Sequence, residues 1–387
     1  MKIDRNKLSL RQRDNLNLAL SEYSERKQII NSRPVALYIE LTKNCFARCV
    51  YCRPSDWENA PKYNMSKDLF DILLRDYLPY ATFVDLRGYG ESLMLEDFDR
   101  YIERAVEICP YLRLTTSLGC GSKRALQALV DHNVFISVSF DAADKERYET
   151  LRKGVNYNTV IKNMEFLSQQ IKKKHGSLEG MMRIGIVPLQ KPNLEYVQGI
   201  IDLAARLGIS EIRMSHLHSR NPFDFNLLRY NKRETIDTFD KVISYAKIKG
   251  VSLQFGAPPF AELRIDEHTR LCCCKPWMYA MVNYEGKLLF CDWHIDLKND
   301  SGFLGDIRED INVVWNSAYA QKVRFAHTHR RTSDLHYVCK SCYDMGRYAD
   351  HEHDLDPQFR QWLVTGDEMK VQIQKVRRKG LSILPLP

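Results

Sequence analysis

Three features that would place this chain in a broad class are missing from it. No apolar stretch approaches the ~20 residues that a membrane-spanning helix needs, so we expect no membrane contact. The N-terminus is charged and polar and has no apolar signal-peptide core. Internal repeats and low-complexity segments are also missing, which excludes a solenoid. The sequence therefore predicts a globular, cytoplasmic protein.

The chain also lacks a dense basic stripe. Its 57 Lys and Arg residues against 49 Asp and Glu residues give a formal net charge of +8 over 387 residues. The basic residues are spread out, apart from short runs at 172–175 and 375–379. A nucleic-acid platform needs positive charge concentrated on one face, so we expect no nucleic-acid partner. An acidic ligand or a reductant protein is compatible with this charge.

Cysteine is plentiful, and in a cytoplasmic chain it indicates metal binding rather than disulfides. Nine of the eleven cysteines fall within 45–52 and 272–342. The first group, Cys45, Cys49 and Cys52, has the spacing Cys-x3-Cys-x2-Cys. Three thiolates on one loop can hold three irons of a [4Fe–4S] cluster and leave the fourth iron open to a small molecule. A zinc site is the alternative, but it usually needs four ligands, and no fourth ligand lies nearby.

Strand-like and helical segments alternate through most of the chain. The predicted strands cover residues 35–41, 82–86, 112–116, 134–140, 182–187, 212–215 and 251–255. This alternation predicts a parallel sheet with helices outside it. In such folds the chemistry collects on loops at the carboxyl ends of the strands, and the cysteine loop directly follows the first strand. Beyond residue 258 the alternation stops, with a predicted hairpin around Glu285-Gly286 and predicted helices over 313–326 and 356–363.

The three-cysteine run, with Tyr51 before its last cysteine, resembles that of the radical S-adenosylmethionine (SAM) superfamily. The resemblance covers residues 35–345. It implies an α/β fold, namely a partial (β/α)6 TIM-like barrel with a small C-terminal α+β Fe–S domain. We predict an N-terminal helical segment over 1–34, a barrel over 35–258, an auxiliary cluster domain over 259–350 and a helical basic tail over 351–387.

The same resemblance assigns residues to SAM at the ends of successive strands. The run 88–94 resembles the segment that receives the SAM amino group, with Glu91 offering a carboxylate. Ser117 stands where relatives often have asparagine, Ser139 is expected at the ribose, and Arg152 at the SAM carboxylate. Val187 is expected near the adenine. The predicted cofactor-binding residues are Gly88, Gly90, Glu91, Ser117, Ser139, Arg152 and Val187.

The second cysteine group resembles the SPASM or shorter twitch extension of these enzymes, which holds auxiliary Fe–S clusters. One [4Fe–4S] cluster with four protein ligands fits the count, and such a closed cluster carries electrons rather than binding SAM. The predicted ligands are Cys274, Cys291, Cys339 and Cys342. Whether Cys272, Cys273 or Cys274 is the first ligand stays open, and a structural four-cysteine zinc site is the alternative.

The resemblance implies a shared first step, in which a reductant protein such as flavodoxin or ferredoxin supplies an electron and SAM is cleaved. We expect an oxidoreductase acting on a small polar substrate such as a sugar, an aminocyclitol or a nucleoside alcohol. The alternatives are an epimerase, with Cys120 as hydrogen donor, and a peptide-modifying maturase. A non-catalytic Fe–S sensor is the alternative outside the enzymes. His216 and His218 follow the sixth strand and are candidate substrate contacts.

Overall fold

The computed structural model of the chain contains one large sheet and a separate two-stranded ladder. It describes residues 3–52, 59–186, 191–214, 232–255, 272–294, 302–329, 331–336, 338–340 and 364–379. In chain order the strands are β1 Ala36–Ile39, β2 Arg48–Cys49, β3 Phe83–Asp85, β4 Leu112–Thr116, β5 Phe135–Ser139, β6 Arg152–Lys153, β7 Met182–Ile186, β8 Glu211–Met214, β9 Ser252–Phe255, β10 Tyr279–Val282, β11 Lys287–Leu289, β12 Gly305–Asp306 and β13 Val364–Thr365.

The large sheet has the order β12-β11-β10-β1-β3-β4-β5-β7-β8-β9-β13. All pairs from β10 through β1 to β9 are parallel, whereas β11, β12 and β13 join antiparallel. The predicted α/β fold with mostly parallel strands is confirmed. The predicted hairpin forms as β10 and β11, and β10 extends the barrel sheet by pairing with β1 instead of starting a separate one.

Helices connect the strands and cover one face of the sheet. They are α1 Leu10–Ser24, α2 Lys67–Ile72, α3 Phe98–Val106, α4 Lys123–Asp131, α5 Lys145–Leu151, α6 Tyr157–His175, α7 Lys191–Leu207, α8 Lys232–Ile248, α9 Lys275–Met278, α10 Ile311–Trp315, α11 Ala318–Thr328 and α12 Gly366–Lys379. Among the described helices, none combines the length and apolar character that a bilayer crossing requires.

The two faces of the parallel sheet differ in chemistry because side chains alternate along each strand. Apolar residues of β4, β5, β7 and β8 lie in the hydrophobic core. The opposite, inner face carries buried polar residues, which are Asp85, Arg113, Ser137, Arg183 and Arg213. They share that face because the strands pair in register, Asp85 with Arg113 and Ser137 with Arg183. This face of the sheet is therefore both buried and polar.

Two predicted helices differ from the observed ones. The N-terminal helix expected within 1–34 is α1, which begins after the cap residue Ser9 and ends at Ser24. The helix expected over 313–326 is two helices, α10 and α11, because Asn316 and Ser317 interrupt it. The Ser317 side chain caps α11 by accepting a hydrogen bond from the Ala320 N–H, and the Asn316 side chain bonds instead to the Ile30 backbone.

Arg324, on α11, connects the N-terminal segment to the C-terminal helices. Its guanidinium is buried and donates to three carbonyl groups, those of Pro276 at 2.9 Å, Gln28 at 3.0 Å and Trp315 at 2.7 Å. Each of these carbonyls belongs to a different segment. A single side chain thus satisfies acceptors that would otherwise be buried without a donor.

We predict that Arg324→Met lowers the free energy of unfolding by about 3 kcal/mol or more, because a buried acceptor without its donor costs about 1–3 kcal/mol. Urea denaturation of the variant and the parent measures this difference. The control is Lys322→Met, an exposed position on the same helix, which should change the free energy by less than about 0.5 kcal/mol. Equal effects of the two substitutions would contradict the proposed connecting role.

Candidate functional site

The first three cysteines lie on the loop that leaves the carboxyl end of β1. Cys45 and Cys49 are half-buried, and Cys52 is exposed. The Asn59 side chain forms two hydrogen bonds with the Cys45 backbone. It accepts from the Cys45 N–H at 3.1 Å and donates to the Cys45 carbonyl at 3.0 Å. Burial raises the pKa of the Cys45 thiol to about 12, and Glu91 acts in the same direction. The loop therefore presents three thiols at the edge where the parallel strands end.

Asn44 ties this loop to its surroundings. Its side-chain amide donates to the Ala60 carbonyl at 2.9 Å and to Asn64 Oδ1 at 2.8 Å. The backbone carbonyl of Asn44 accepts from the Glu91 N–H at 2.8 Å. The residue before the first cysteine thus joins the cysteine loop to the loop that follows β3.

Asp141 forms a buried network with Tyr51, Arg152 and Cys49, which we call the Asp141 network. Arg152 Nε donates to Asp141 Oδ2 at 2.7 Å, and the Tyr51 hydroxyl donates to the same oxygen. Arg152 Nη1 lies 3.9 Å from Cys49 Sγ as a donor. Burial acts to lower the pKa of Arg152, but Asp141 raises it well above its usual value. Sequence reasoning missed Asp141, although its position directly after β5 was a signal.

The glycines after β3 are required by the chain itself. A Cβ added at Gly88 would lie 2.2 Å from Glu40 Cγ, and one added at Gly90 would lie 2.1 Å from the Thr42 carbonyl oxygen. Any larger residue would push this loop away from the end of β1. The room that both glycines leave is therefore occupied by the residues that lead into the cysteine loop.

Glu91 and Ser117, predicted to act together at SAM, are in direct contact. Glu91 Oε2 accepts from the Ser117 N–H at 2.8 Å and from its hydroxyl at 2.7 Å. Glu91 Oε1 accepts from Thr116 Oγ1 at 2.7 Å and from the Leu93 N–H at 3.4 Å. A carboxylate has about four acceptor sites, so the chain engages all of them. Glu91 offers a nearby ammonium group its charge rather than a spare acceptor.

Glu40 lies behind these loops and joins them to the C-terminal hairpin. Its carboxylate accepts from the Tyr89 N–H at 2.8 Å and from the Tyr284 N–H at 3.5 Å. The side chain is buried, and burial raises its pKa to about 7. One carboxyl group therefore contacts both the segment expected at SAM and the turn between β10 and β11.

Ser139 and Cys120 occupy the same edge of the sheet. Ser139 ends β5 opposite Gly185, and within the described residues its hydroxyl has no hydrogen-bond partner. Cys120 is half-buried, and burial raises its pKa, with Glu91 and Cys45 acting in the same direction. Its neighbour Gly119 approaches the cysteine loop, since a Cβ added there would lie 2.7 Å from Phe46 Cζ. Val187, His216 and His218 lie outside the described residues.

The second cysteine group is buried. Cys272, Cys273 and Cys274 precede α9, Cys291 follows β11, and Cys339 lies farther along the chain. Cys342 lies outside the described residues. The Cys272 carbonyl accepts from the Tyr23 hydroxyl at 2.6 Å, which ties it to α1.

Two side chains contact cysteine sulfurs of this group. Lys275 Nζ lies 3.5 Å from Cys291 Sγ, and His294 Nε2 lies 3.3 Å from Cys339 Sγ. Lys275 and His294 are both buried, and burial lowers the pKa of His294 well below its usual value, which favours the neutral imidazole.

Both groups present the soft thiol donors that iron–sulfur clusters take. Within the residues that the structure describes, no three His, Cys, Asp or Glu side chains stand together in a group that could hold a metal ion. The chemistry of the thiol donors fits an iron–sulfur cluster at each group.

Comparison with protein families matches two models to the two cysteine groups. Residues 39–204 match the radical SAM superfamily, and residues 272–343 match the SPASM iron–sulfur cluster-binding domain. The first match begins at the end of β1 and includes Cys45, Cys49 and Cys52. The second includes all of the cysteines from Cys272 to Cys342.

Two kinds of curated relative each match less than half of the chain. GTP 3′,8-cyclase of Clostridium botulinum is 24% identical over 174 residues, which are 43% of this chain and 49% of the relative. PqqA peptide cyclase of Methylorubrum extorquens is 28% identical over 188 residues, 47% of this chain and 46% of the relative. The chain spans about half the length of the curated relatives it matches.

Solved structures share the fold at low identity. Streptococcus suis SuiB bound to S-adenosylmethionine has a TM-score of 0.61 at 17% identity, covering 80% of this chain and 72% of SuiB. The structure of anSMEcpe with bound AdoMet has a TM-score of 0.55 at 15% identity, covering 89% of this chain and 99% of that one. These likenesses show the fold of the chain.

We predict that Asp141→Asn lowers the free energy of unfolding by about 3 kcal/mol, because it leaves the buried Arg152 guanidinium without its counter-charge. Urea denaturation of the cluster-free chain measures this loss. Asp131→Asn, at an exposed position, is the control and should cost less than about 0.5 kcal/mol.

The double variant Asp141→Asn/Arg152→Met tests the pairing itself. It should lose less stability than the sum of the two single variants, because it leaves no unpaired buried charge. Additive losses would mean that Asp141 and Arg152 do not act as a pair.

Proposed function

Because this chain belongs to the radical SAM superfamily and contains a SPASM iron–sulfur domain, we propose that it oxidises a small polar substrate such as a sugar, an aminocyclitol or a nucleoside alcohol. The two domains imply SAM, a SAM-binding [4Fe–4S] cluster and an auxiliary iron–sulfur cluster. The observation that carries the proposal is that the chain has both a three-thiol loop at the strand ends and a second, buried cysteine group.

The chemistry comes from the bound groups. When bound, SAM and the first cluster would supply a 5′-deoxyadenosyl radical for the removal of one hydrogen atom from the substrate, and the auxiliary cluster would supply an acceptor for the electron that remains when the substrate also loses a proton. The chain positions these groups and keeps water from the reacting atoms. A one-electron donor protein such as flavodoxin or ferredoxin, in the cytoplasm, completes the scheme.

The cysteine loop holds the first cluster in this proposal. Cys45, Cys49 and Cys52 each bind one iron. The Asp141 network fixes the arginine that donates toward Cys49 Sγ, and a cationic donor stabilises the thiolate form that binds metal. Arg152 is also the proposed partner of the SAM carboxylate, with Asp141 fixing its orientation.

The neighbouring strand ends bind the rest of SAM. Gly88 and Gly90 bring their backbone to the end of β1, and Glu91, held by Ser117, directs its charge at the SAM ammonium. The Ser139 hydroxyl is available for the ribose, and Val187 is the proposed adenine contact. Cys274, Cys291, Cys339 and Cys342 are the proposed ligands of the auxiliary cluster.

The inner face of the sheet supports a polar substrate. Arg183 Nε donates to Ser137 Oγ at 3.0 Å, and Arg113 pairs with Asp85 at 2.6 Å. These groups make one face of the sheet buried and polar, which favours a ligand rich in hydroxyl groups. GTP 3′,8-cyclase, by its name, acts on a small polar molecule, which favours the same class.

Two alternative outcomes have specific support. The match to PqqA peptide cyclase favours a peptide substrate. The position of Cys120 next to Gly119, which approaches the cysteine loop at Phe46, favours an epimerase in which the Cys120 thiol donates a hydrogen atom to the substrate radical. Mass analysis after reaction distinguishes the proposed oxidation from epimerisation. Oxidation removes two hydrogens from a small molecule, whereas epimerisation leaves its mass unchanged in ordinary water.

We predict that the Cys45→Ala/Cys49→Ala/Cys52→Ala variant abolishes cleavage of SAM. After anaerobic reconstitution the parent should bind about eight irons per chain, and the variant should bind about four, because each [4Fe–4S] cluster contains four. The control is Cys109→Ala, a buried cysteine bonded to the Ala81 carbonyl, which should keep all of the iron. A triple variant that still produces 5′-deoxyadenosine would overturn the assignment of the first cluster.

We predict that Cys291→Ala keeps the dithionite-driven cleavage of SAM but loses the auxiliary cluster, so that iron falls from about eight to about four per chain. It should also lose oxidation of any alcohol that the parent converts in a panel of sugars, aminocyclitols and nucleosides. If the variant loses the second cluster and still oxidises that alcohol, the electron-acceptor role of the cluster is wrong.

A further inference from the structure

A buried ammonium group lies against one of the proposed auxiliary-cluster ligands. Lys275 is 3% exposed, and its Nζ donates to Cys291 Sγ at 3.5 Å and to Asp292 Oδ1 at 2.5 Å. The rings of Tyr38 and Tyr279 flank it, with centroids 5.7 and 5.9 Å away. The positive charge is thus enclosed beside a sulfur atom and shielded from water.

This ammonium is held in place from the barrel side. Asp292, which pairs with it, also lies 3.5 Å from Arg87 Nη2. Arg87 Nε lies 3.0 Å from Asp85 Oδ2, and Arg113 Nη2 pairs with the same oxygen at 2.6 Å. A series of alternating charges therefore runs from the inner face of β3 and β4 to Cys291. If Lys275 turned away, Asp292 would lose its shorter ion pair and keep the 3.5 Å contact with Arg87.

We propose that Lys275 raises the reduction potential of the auxiliary cluster by holding a positive charge against the Cys291 sulfur. The proposal rests on the proposed function, because it takes Cys291 as a ligand of that cluster. Reduction adds negative charge to the cluster, and a nearby cation stabilises the added charge strongly where water is excluded. Hydrogen bonds to the cluster's sulfurs and its burial are known to set such potentials.

The neighbouring carboxylate has the opposite effect. Asp292 Oδ1 lies 3.7 Å from Cys291 Sγ, so its negative charge disfavours reduction. Removing the charge of Lys275 should therefore lower the potential, whereas removing the charge of Asp292 should raise it. A role in packing alone predicts no such pair of opposite shifts.

The test compares the reconstituted full-length parent with Lys275→Met in a redox titration followed by electron paramagnetic resonance. Added SAM changes only the signal of the open cluster, which assigns the other signal to the auxiliary one. Lys275→Met should lower the equilibrium constant for one-electron reduction of the auxiliary cluster at least tenfold, which is a 59 mV lower potential. Lys275→Arg should restore most of the loss.

Matched substitutions keep the result interpretable. Lys287→Met is the control, on strand β11 of the hairpin that leads to Cys291. The Lys287 side chain is 43% exposed and pairs with Asp306. Its removal should leave the equilibrium constant for one-electron reduction of the auxiliary cluster within twofold of the parent value. If Lys275→Met fails to bind iron, Asp292→Asn supplies the test, because it should raise the reduction potential of the auxiliary cluster. An unchanged potential in an iron-loaded Lys275→Met or Asp292→Asn variant overturns the proposal. A parent that binds only about four irons overturns the auxiliary cluster itself.

Discussion

The parallel pairing of β1 on both of its sides is the constraint on which the rest of the structure depends. β1 pairs with β3 on one side and with β10 on the other, and all four of its residues are buried. The residues just past its end, Glu40 and Thr42, leave no room for a side chain at Gly88 or Gly90. A shift of β1 would therefore move the cysteine loop, the glycine loop and the C-terminal hairpin together.

Buried cations recur beside the proposed cluster ligands. Arg152 donates toward Cys49 Sγ and is paired with Asp141, while Lys275 donates to Cys291 Sγ and is paired with Asp292. Burying a charge costs free energy unless the charge is paired, so each carboxylate offsets the cost of burying the cation beside it. Each cation in turn favours the thiolate form of its cysteine. A buried cation paired with a carboxylate thus lies beside a proposed ligand in each of the two cysteine groups.

Local pattern was enough to predict most of the strands and helices. The observed bounds of β4, Leu112–Thr116, match the strand predicted over 112–116, because the alternation of side chains along a strand is a local feature of the sequence. The predicted 313–326 helix was wrong because Asn316 bonds to Ile30, 286 residues away. Asp141 was missed for a similar reason, since Tyr51 is 90 residues from it. Periodicity indicates which face of an element is buried, but it does not indicate which distant residue a polar side chain will meet.

The continuity of the sheet bears on how two cysteine groups can serve one reaction. An electron acceptor is useful only if it stays at a fixed distance from the substrate radical, and a domain on a flexible linker would not ensure that. Here β10 pairs with β1 over four residues, and the Glu40 carboxyl bonds to Tyr89 and Tyr284 on the two sides of that contact. Hydrogen bonds of the sheet and one buried carboxyl therefore hold the hairpin with Cys291 against the loops expected at SAM. The fold therefore fixes the two cysteine groups relative to each other, as the proposed oxidation with two clusters requires.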